Sequence, residues 1–383
     1  MSITLSKEQE AAVDLAVNSS FQTVAITGPA GTGKSTILKE IVQRLNGQVF
    51  LCSFTGKAAN RMMEASGHQA TTIHRMLGYN GIRFTVKKLS KVVIIDEASM
   101  VDSALLAAII RATPPKIVLI GDESQLEPIN IGAAFRDFLK YYPKQCIHLT
   151  KSYRSSAAIY KATMSIRNGM QPSSSDQSGG ETFKVIQTKS TRATMETLET
   201  WLRTPGFWDP HQDIILSAVN DKPGGVKELN NMMAEIFNPG RGEEKFLVGD
   251  RVINLKNDSE NSVWNGDCGT IYGAGHKDSL YIKLDRDHPD GEICFTKAMQ
   301  KNLALAYCIS VHRAQGAQFR KVFFVCLKHH RFSVSRSLIY TALTRATKAS
   351  AVIGNAWTFL EGIERTVEKK TIIQFLKEVQ NNE

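Results

Sequence analysis

Residues 23–36 read TVAITGPAGTGKST, an apolar run followed by a glycine-rich loop and then by the start of a helical pattern. The loop matches the spacing G-x-x-x-x-G-K-[ST], in which glycines let backbone N–H groups surround phosphates. In this strand–loop–helix context we predict a nucleotide site, with Lys34 on the outer phosphates and Ser35 on Mg²⁺. The residues predicted to hold the nucleotide here are Gly28, Pro29, Ala30, Gly31, Thr32, Gly33, Lys34, Ser35 and Thr36.

Three further apolar runs lie in the first 150 residues, at Val49–Ser53, Val92–Asp96 and Ile117–Gly121. They are short, rich in β-branched residues and bounded by Gly, Asp or Lys, which is typical of buried parallel strands. Helical patterns such as Lys34–Leu45 and Gly56–Ala65 alternate with them. This alternation predicts a doubly wound α/β sheet.

The second half of the chain shows another α/β pattern, with its clearest strands at Asp213–Ala218, Lys321–Leu327 and Ala349–Gly354. Between 248 and 299 the pattern changes to short alternating strands separated by Gly, Asn and Asp, which predicts a small β-barrel or meander. A shorter insertion at 78–90 (GYNGIRFTVKKLS) predicts a β-hairpin that projects from the first unit.

Two acids end the third strand, in the run VVIIDE. Carboxylates at the end of a strand beside a phosphate loop can bind Mg²⁺ or activate water. We therefore assign Asp96 to the Mg²⁺ shell and Glu97 to the orientation or activation of the attacking water. The loop and the acids together indicate an ATPase or a GTPase.

The composition narrows the class of partner. The chain has 383 residues, 42% of them apolar and 22% charged, which is ordinary for a globular protein of two or three domains. Its net charge of +10 is spread over both halves, which suits a polyanion lying in a long groove. The six cysteines show no metal-binding spacing, and neither a signal peptide nor a membrane span is apparent. We therefore expect a cytoplasmic protein.

Further motifs run through the chain in a fixed order. They are LSKEQEAAV (Leu5–Val13), FTGKAANRM (Phe54–Met62), TIHRML (Thr72–Leu77), IDEASMVD (Ile95–Asp102), GDESQLEPINIGAAF (Gly121–Phe135), LTKSYRS (Leu149–Ser155), ILSAVNDKPGGVKELN (Ile215–Asn230), GDRVINLKNDSENSVWNGDCGTI (Gly249–Ile271), LAYCISVHRAQGAQF (Leu305–Phe319) and IYTALTRATK (Ile339–Lys348). In number, order and spacing this set resembles the superfamily 1 DNA helicases of the RecD/Dda branch. Such proteins combine an AAA-type ATPase domain with a UvrD-like C-terminal domain.

The resemblance implies an α/β fold with two RecA-like P-loop motor domains, a small SH3-like β-barrel insertion and a short β-hairpin insertion. The implied boundaries are 1–77 with 91–150 for motor domain 1A, 78–90 for hairpin 1B, 151–247 with 300–383 for motor domain 2A, and 248–299 for the SH3-like insertion 2B.

The resemblance also implies roles for single residues. Gln9 would read the adenine, Gln125 would sense the γ-phosphate, and Gly316 would contact the nucleotide. Arg154 and Arg345 would stabilise charge on the γ-phosphate when the two lobes close. The residues expected to contact DNA are Thr55, Lys57, Thr72, His74, Phe84, His312, Arg313 and Gln315. For Phe84 two interpretations stay open, a ring that stacks on a base or wedges a duplex, and a hydrophobic foot of the hairpin.

The resemblance thus implies an ATP- and Mg²⁺-dependent translocase on single-stranded DNA that unwinds duplex from 5′ to 3′. Its partners would be single strands and duplex junctions, with single-strand-binding or replication proteins as further candidates, in replication, recombination or repair. Its compartment would be a bacterial cytoplasm, or a host cytoplasm if a phage encodes it. A monomer is expected, because one chain already contains both lobes. Two alternatives remain: an RNA helicase or RNA-dependent ATPase, and a nucleotide-switched DNA-binding subunit that does not unwind.

Overall fold

The computed structural model describes residues 4–153, 157–176, 182–258, 260–286 and 291–367. The chain divides into two units, with divisions between positions 155 and 156 and between 366 and 367. The described residues 4–153 are called unit 1, and 157–366 are called unit 2. Within these described ranges, every helix is too short or too polar to cross a membrane.

Unit 1 contains a parallel sheet with the strand order β3-β2-β4-β5-β1-β6. Its strands are β1 (Thr23–Thr27), β2 (Val49–Ser53), β3 (Ala70–Thr72), β4 (Val92–Asp96), β5 (Ile117–Gly121) and β6 (Cys146–His148). The four strands predicted in this half coincide with β1, β2, β4 and β5. They could be predicted because a parallel strand covered on both faces needs a continuous apolar run.

The helices of unit 1 cover both faces of this sheet. They are α1 (Lys7–Asn18), α2 (Lys34–Arg44), α3 (Gly56–Ser66), α4 (Ile73–Met76), α5 (Ser103–Arg111) and α6 (Ala134–Tyr141). In β1, Val24 and Ile26 pack into one apolar cluster, while Ala25 packs into another. Because neighbouring side chains of a strand point to opposite faces, this division places a core on each side of the sheet.

The hairpin predicted at 78–90 is reduced to a tight turn. A single isolated bridge, between Tyr79 and Phe84, replaces the expected two-stranded ladder. The side chain of Asn80 accepts hydrogen bonds from the N–H groups of Ile82 and Arg83, at 3.1 and 3.0 Å, and this closes the turn within four residues. Because the Asn80 side chain already accepts from these two N–H groups, they cannot also form the backbone hydrogen bonds of a two-stranded ladder.

Unit 2 contains a second sheet, with the order β15-β9-β16-β17-β8-β7, parallel except for the edge strand β7. Its elements in chain order, together with those of the inserted sheet, are α7 (Ala157–Arg167), β7 (Ser175–Asp176), β8 (Thr182–Gln187), α8 (Thr191–Leu202), β9 (Ile214–Ser217), α9 (Val226–Phe237), β10 (Arg251–Asn254), β11 (Cys268–Ala274), β12 (Leu280–Leu284), β13 (Ile293–Phe295), α10 (Lys297–Gln300), β14 (Leu303–Leu305), β15 (Cys308–Ser310), β16 (Phe319–Cys326), α11 (Arg336–Leu343), β17 (Ala346–Gly354) and α12 (Ala356–Glu364). The three strands predicted for this half correspond to β9, β16 and β17.

The inserted sheet is antiparallel and has the order β13-β12-β11-β10-β14. The first four strands form the predicted meander. The fifth strand, β14, lies beyond the predicted limit of 299. It belongs to the inserted sheet because it pairs with β10, and the chain then continues into β15 of the parallel sheet. In β12 the residues alternate between buried and exposed, so this sheet has one apolar face and one solvated face.

Candidate functional site

The loop at 28–33 connects β1 to α2 and has the backbone that phosphate binding needs. Gly31 and Gly33 have φ angles of 87° and 83°, in the left-handed region that favours glycine. Gly33 is the N-cap of α2, and no side chain caps this helix. The first N–H groups of α2 are therefore available to an anion, and the helix dipole favours negative charge at the same place.

The Lys34 ammonium lies within the curve of this loop. Its Nζ donates to the carbonyl oxygens of Gly28 and Pro29, at 2.6 and 2.9 Å. Thr32 donates from Oγ1 to the same Pro29 carbonyl, at 3.0 Å. Ala30 and Thr36 are half-buried and Ser35 is exposed, so the Ser35 hydroxyl is open to a ligand.

Asp96 is the last residue of β4, the second strand from β1 in the sheet, and Glu97 follows it. Glu97 adopts a left-handed φ of 54°, and its N–H donates to Oδ1 of Asp96 at 2.9 Å. Removal from water raises the pKa of Asp96 to about 6, and the charge of Glu97 adds to this rise. The positive charge of Lys34 acts in the opposite direction, so the loop and the acids belong to one electrostatic site.

Gln125 lies in the loop after β5, the strand between β4 and β1. The loops are connected, since the N–H of Gly28 donates to the Gly121 carbonyl at 3.2 Å. Gln125 is 4% exposed, and its Oε1 has no hydrogen-bond partner among the described residues. A buried acceptor without a donor is costly. A water molecule beside the phosphates would supply the missing donor, which fits the role predicted for Gln125.

Gln9 contacts the phosphate loop directly. Its Nε2 donates to the Thr32 carbonyl at 3.2 Å, and its Oε1 accepts from the Ser6 N–H at 3.0 Å. Ser6 in turn caps α1 by accepting from the Gln9 N–H at 3.3 Å. Gln9 is thus a brace between α1 and the loop in this structure, and adenine reading stays a prediction.

Sequence reasoning missed Glu8, which holds the segment at the end of unit 1. Its carboxylate accepts from Thr150 N–H at 2.9 Å, from Thr150 Oγ1 at 2.6 Å and from Lys151 N–H at 3.4 Å. The hydrogen bonds from Thr150 lower the pKa of Glu8. Further along, the Tyr153 N–H donates to the Gly31 carbonyl at 2.8 Å. The segment leading to Arg154 therefore lies against the phosphate loop, while Arg154 itself lies outside the described residues.

A magnesium nucleotide fits this donor set. An uncapped helix start faces the loop, and a carboxylate and a hydroxyl, those of Asp96 and Ser35, are available for the cation. Within the described ranges, no group of three or more His, Cys, Asp or Glu residues is arranged to hold a metal. Magnesium needs few protein ligands where phosphate oxygens complete its shell, so this pair suffices.

The candidate DNA contacts of unit 1 begin with two helix caps. Thr55 caps α3 by accepting from the Ala58 N–H at 3.2 Å, and Thr72 caps α4 by accepting from the Arg75 N–H at 3.3 Å. Both threonine hydroxyls keep a proton to donate, as a phosphate contact requires. Lys57 lies half-buried in the first turn of α3.

His74 and Phe84 belong to an aromatic group that also includes Phe54 and Tyr79. The ring centroids of His74 lie 6.1, 5.5 and 5.8 Å from those of Phe54, Tyr79 and Phe84. Desolvation lowers the pKa of His74, although Asp102 acts in the opposite direction. Phe84 packs against the apolar core of unit 1, which favours the interpretation of a hydrophobic foot.

A second group of predicted residues lies in unit 2. Arg345 is 4% exposed; its Nε donates to the Thr341 carbonyl at 3.1 Å and its NH1 to the Ala317 carbonyl at 3.5 Å. The structure thus brings Arg345 to the turn that holds Gly316, whose φ is 74°. The same turn, which follows β15, contains the other predicted residues of this unit: half-buried His312, exposed Arg313 and buried Gln315.

Two comparisons of sequence identify the family. The profile of the family described as AAA domain matches residues 4–199, and the profile of the UvrD-like helicase C-terminal domain matches residues 305–353. The ATP-dependent RecD2 DNA helicase of Deinococcus radiodurans is 32% identical over 391 residues. That match covers 97% of this chain and 52% of the relative, so the chain spans about half the length of that protein.

Solved structures show the same fold. Bacteroides Pif1 bound to ssDNA has a TM-score of 0.58 and 18% identity, covering 100% of this chain and 98% of the other. Pif1 helicase from Candida albicans has a TM-score of 0.53 and 21% identity, with 100% of both chains covered. The resemblance to superfamily 1 helicases noted in the sequence is confirmed. The chain belongs to the AAA-domain family defined by the first profile, and it carries a UvrD-like helicase C-terminal domain in its second half.

Proposed function

We propose that this chain is an ATP-dependent DNA helicase that moves along single-stranded DNA, from 5′ to 3′, with Mg²⁺. The observation that carries the proposal is the phosphate loop of unit 1, with two carboxylates and the unsatisfied Gln125 oxygen at the same edge of the sheet. The relative from Deinococcus radiodurans is an ATP-dependent DNA helicase, and the structural neighbour Bacteroides Pif1 is bound to ssDNA. Both facts support the DNA assignment. The cellular setting that we propose is replication, recombination or repair in a cytoplasm.

Each residue of the unit 1 site has a task in this proposal. The α2 N–H groups and Lys34 bind the phosphates of ATP. Bound Mg²⁺, held by Ser35 and Asp96, would neutralise phosphate charge. Glu97 orients the attacking water and takes up its proton. Gln125 accepts a hydrogen bond from that water through the buried Oε1, which favours hydrolysis only when the γ-phosphate and the water are both present.

The finer domain assignment is part of the proposal. Unit 1 corresponds to motor domain 1A and its short turn at 78–90 to insertion 1B. Unit 2 corresponds to motor domain 2A, and its antiparallel sheet to an SH3-like insertion 2B. Arg154 and Arg345 are proposed to stabilise charge on the γ-phosphate, and the DNA contacts predicted in both units are proposed as such.

The first experiment measures phosphate release with and without oligo-dT. We expect strong stimulation by the oligonucleotide and its loss in Lys34→Ala. The matched control is Lys39→Ala, which removes the same charge from an exposed site on the same helix and should keep the activity. An ATPase that ignores single strands would refute the motor, and so would a Lys34→Ala protein that keeps full activity.

The second experiment separates the remaining readings. Strand displacement on duplexes with a 5′ or a 3′ tail tests the direction, and unwinding only from the 3′ tail would contradict it. Stimulation by poly(U) above that by poly(dT) would instead favour the RNA helicase. Stimulated hydrolysis without displacement from either tail would favour the nucleotide-switched binding subunit.

A further inference from the structure

An exposed aromatic and cationic group lies on the surface of unit 2. Phe332 is 83% exposed and Trp357 is 52% exposed. The guanidinium carbon of Arg331 lies 4.6 Å from the Trp357 ring centroid and 5.6 Å from that of Phe332. We call these three residues the Arg331 platform. Exposed aromatic residues grouped with an arginine are typical of a binding surface.

Ion pairs hold the arginine of the platform in place. Arg331 donates from Nε to Glu361 Oε1 at 2.8 Å, and Arg365 donates from NH2 to the same oxygen at 2.7 Å. The guanidinium carbon of Arg365 lies 6.0 Å from the Phe332 ring centroid. The guanidinium of Arg331 is therefore positioned before any ligand arrives, which reduces the side-chain entropy that this residue loses on binding.

The platform lies at the carboxyl edge of the parallel sheet. Phe332 follows β16, and Trp357 lies in the first turn of α12, which follows β17. His329 and His330 each donate from Nε2 to the Pro223 carbonyl, at 3.0 and 2.8 Å, so the segment after β16 is fixed to the loop after β9. Open α/β sheets bind their ligands at this edge.

The same edge carries the DNA contacts predicted in unit 2. His312 and Arg313 follow β15, and β9 lies between β15 and β16 in the sheet. The Arg331 platform is thus two strands away from those residues, along one rim. A strand of nucleic acid that contacts the loop after β15 can continue along this rim.

The charge of this rim favours a polyanion. The loops after β9, β15 and β16, at 218–225, 311–318 and 327–335, contain four basic residues and one acid. All five are exposed: Lys222, Arg313, Lys328, Arg331 and Asp221. Because Arg331 is paired with Glu361, the excess of basic charge comes from Lys222, Arg313 and Lys328. Basic loops attract phosphates, while aromatic rings and an arginine plane stack on unpaired bases.

We propose that the Arg331 platform binds unpaired bases of single-stranded nucleic acid and extends the contact made after β15. The inference rests on the proposed function, because it names a further part of the same nucleic-acid track. Base stacking on a surface aromatic is worth about 1–3 kcal/mol, or about 5- to 150-fold in affinity.

The test compares Phe332→Ala and Trp357→Ala with the unaltered chain, by fluorescence anisotropy of labelled oligo-dT over a salt series. Each variant should bind about fivefold or more weakly, with an unchanged salt slope, because stacking releases no counterions. The oligonucleotide should quench tryptophan fluorescence in the unaltered chain, and less so in Trp357→Ala. Phe21→Ala, a partly exposed aromatic before β1 in unit 1, is the matched control and should bind normally.

Four outcomes would overturn the inference. Binding within about twofold of the unaltered chain would show that the rings contribute nothing. A lower Tm with unchanged DNA affinity would show that the rings stabilise this chain and do not bind bases. If Arg313→Ala weakens binding while the ring variants do not, only this inference fails. If the unaltered chain has no measurable affinity for single strands, the proposed function fails with it.

Discussion

Gly33 provides the sharpest test of the phosphate loop. A Cβ in Gly33→Ala would need a φ of 83°, which costs an L-residue about 1–2 kcal/mol. The same Cβ would collide with Nε2 of Gln9, which is 5% exposed. Gln9 can move only by giving up its bonds to Ser6 and Thr32, each worth about 0.5–1.5 kcal/mol. We expect Gly33→Ala to cost about 2–5 kcal/mol in total and to weaken ATP binding.

The Gln9 contribution can be isolated in a double-mutant cycle. Gln9→Ala loses the same two hydrogen bonds but also removes the obstacle to the Cβ. The double mutant should therefore be less destabilised than the sum of the single mutants, by about 1–3 kcal/mol. The measurements are thermal unfolding and titration with a fluorescent ATP analogue.

Gly67→Ala is the matched control, since Gly67 has a φ of 69° and nothing lies within 4 Å of an added Cβ. It should show only the backbone strain of about 1–2 kcal/mol. Strict additivity of Gly33→Ala and Gln9→Ala would refute the collision, and with it the role of Gln9 as a brace of the loop.

Three further predictions concern catalysis, stability and pH. Glu97→Gln should keep ATP affinity and lower turnover about 10²- to 10⁴-fold, measured as phosphate release at saturating ATP. Arg241→Met should lower Tm, because it removes the bidentate partner, at 2.7 and 2.9 Å, of the fully buried Asp250 carboxylate, a loss of about 3–5 kcal/mol. Burial lowers the pKa of His330 in the folded chain. As the pH falls, this imidazole is therefore protonated in the unfolded chain at a higher pH than in the folded chain. Stability should therefore fall as the pH drops through about 6.5, and His330→Gln should flatten this part of a Tm–pH curve.

Controls distinguish these effects from general damage. Glu64→Gln, an exposed acid on α3 of unit 1, should keep normal turnover. Arg192→Met loses an exposed pair with Glu196 and should leave Tm unchanged. The pKa of His74 is lowered too, so His74→Gln should remove a separate part of the pH dependence. An unchanged Tm in Arg241→Met, or an unaltered pH profile in His330→Gln, would contradict the assigned burial.

In the parallel sheet of unit 1, the long buried strands could be predicted and the short ones could not. The strands β1, β2, β4 and β5 have five residues each and a continuous apolar pattern, so both faces of the sheet are specified locally. By contrast, β3 and β6 have three residues each and include Thr71, Thr72 and His148. They are extended because β3 pairs with β2 and β6 pairs with β1, and no local sequence pattern predicts this pairing.

The candidate site divides in the same way. The phosphate loop and the two acids at the end of β4 were predictable, because each motif is contiguous and its chemistry depends on spacing alone. The contact of Glu8 with Thr150 spans 142 residues and depends on how α1 packs beside β6, so no spacing could reveal it. Similarly, the buried position of Arg345 depends on the carbonyls of Thr341 and Ala317, which only the folded turn brings together.

The carboxylate of Asp250 has a mechanical consequence. The chain enters the inserted sheet beside Asp250 and leaves it at Tyr307, whose hydroxyl donates to Asp250 Oδ1 at 3.2 Å. Asn238, at the end of α9, donates to the same oxygen at 3.0 Å. Entry, exit and the preceding helix are thus fastened at a single point, directly before β15. These hydrogen bonds tie the inserted sheet to the parallel sheet directly before β15 and the turn that holds Arg313.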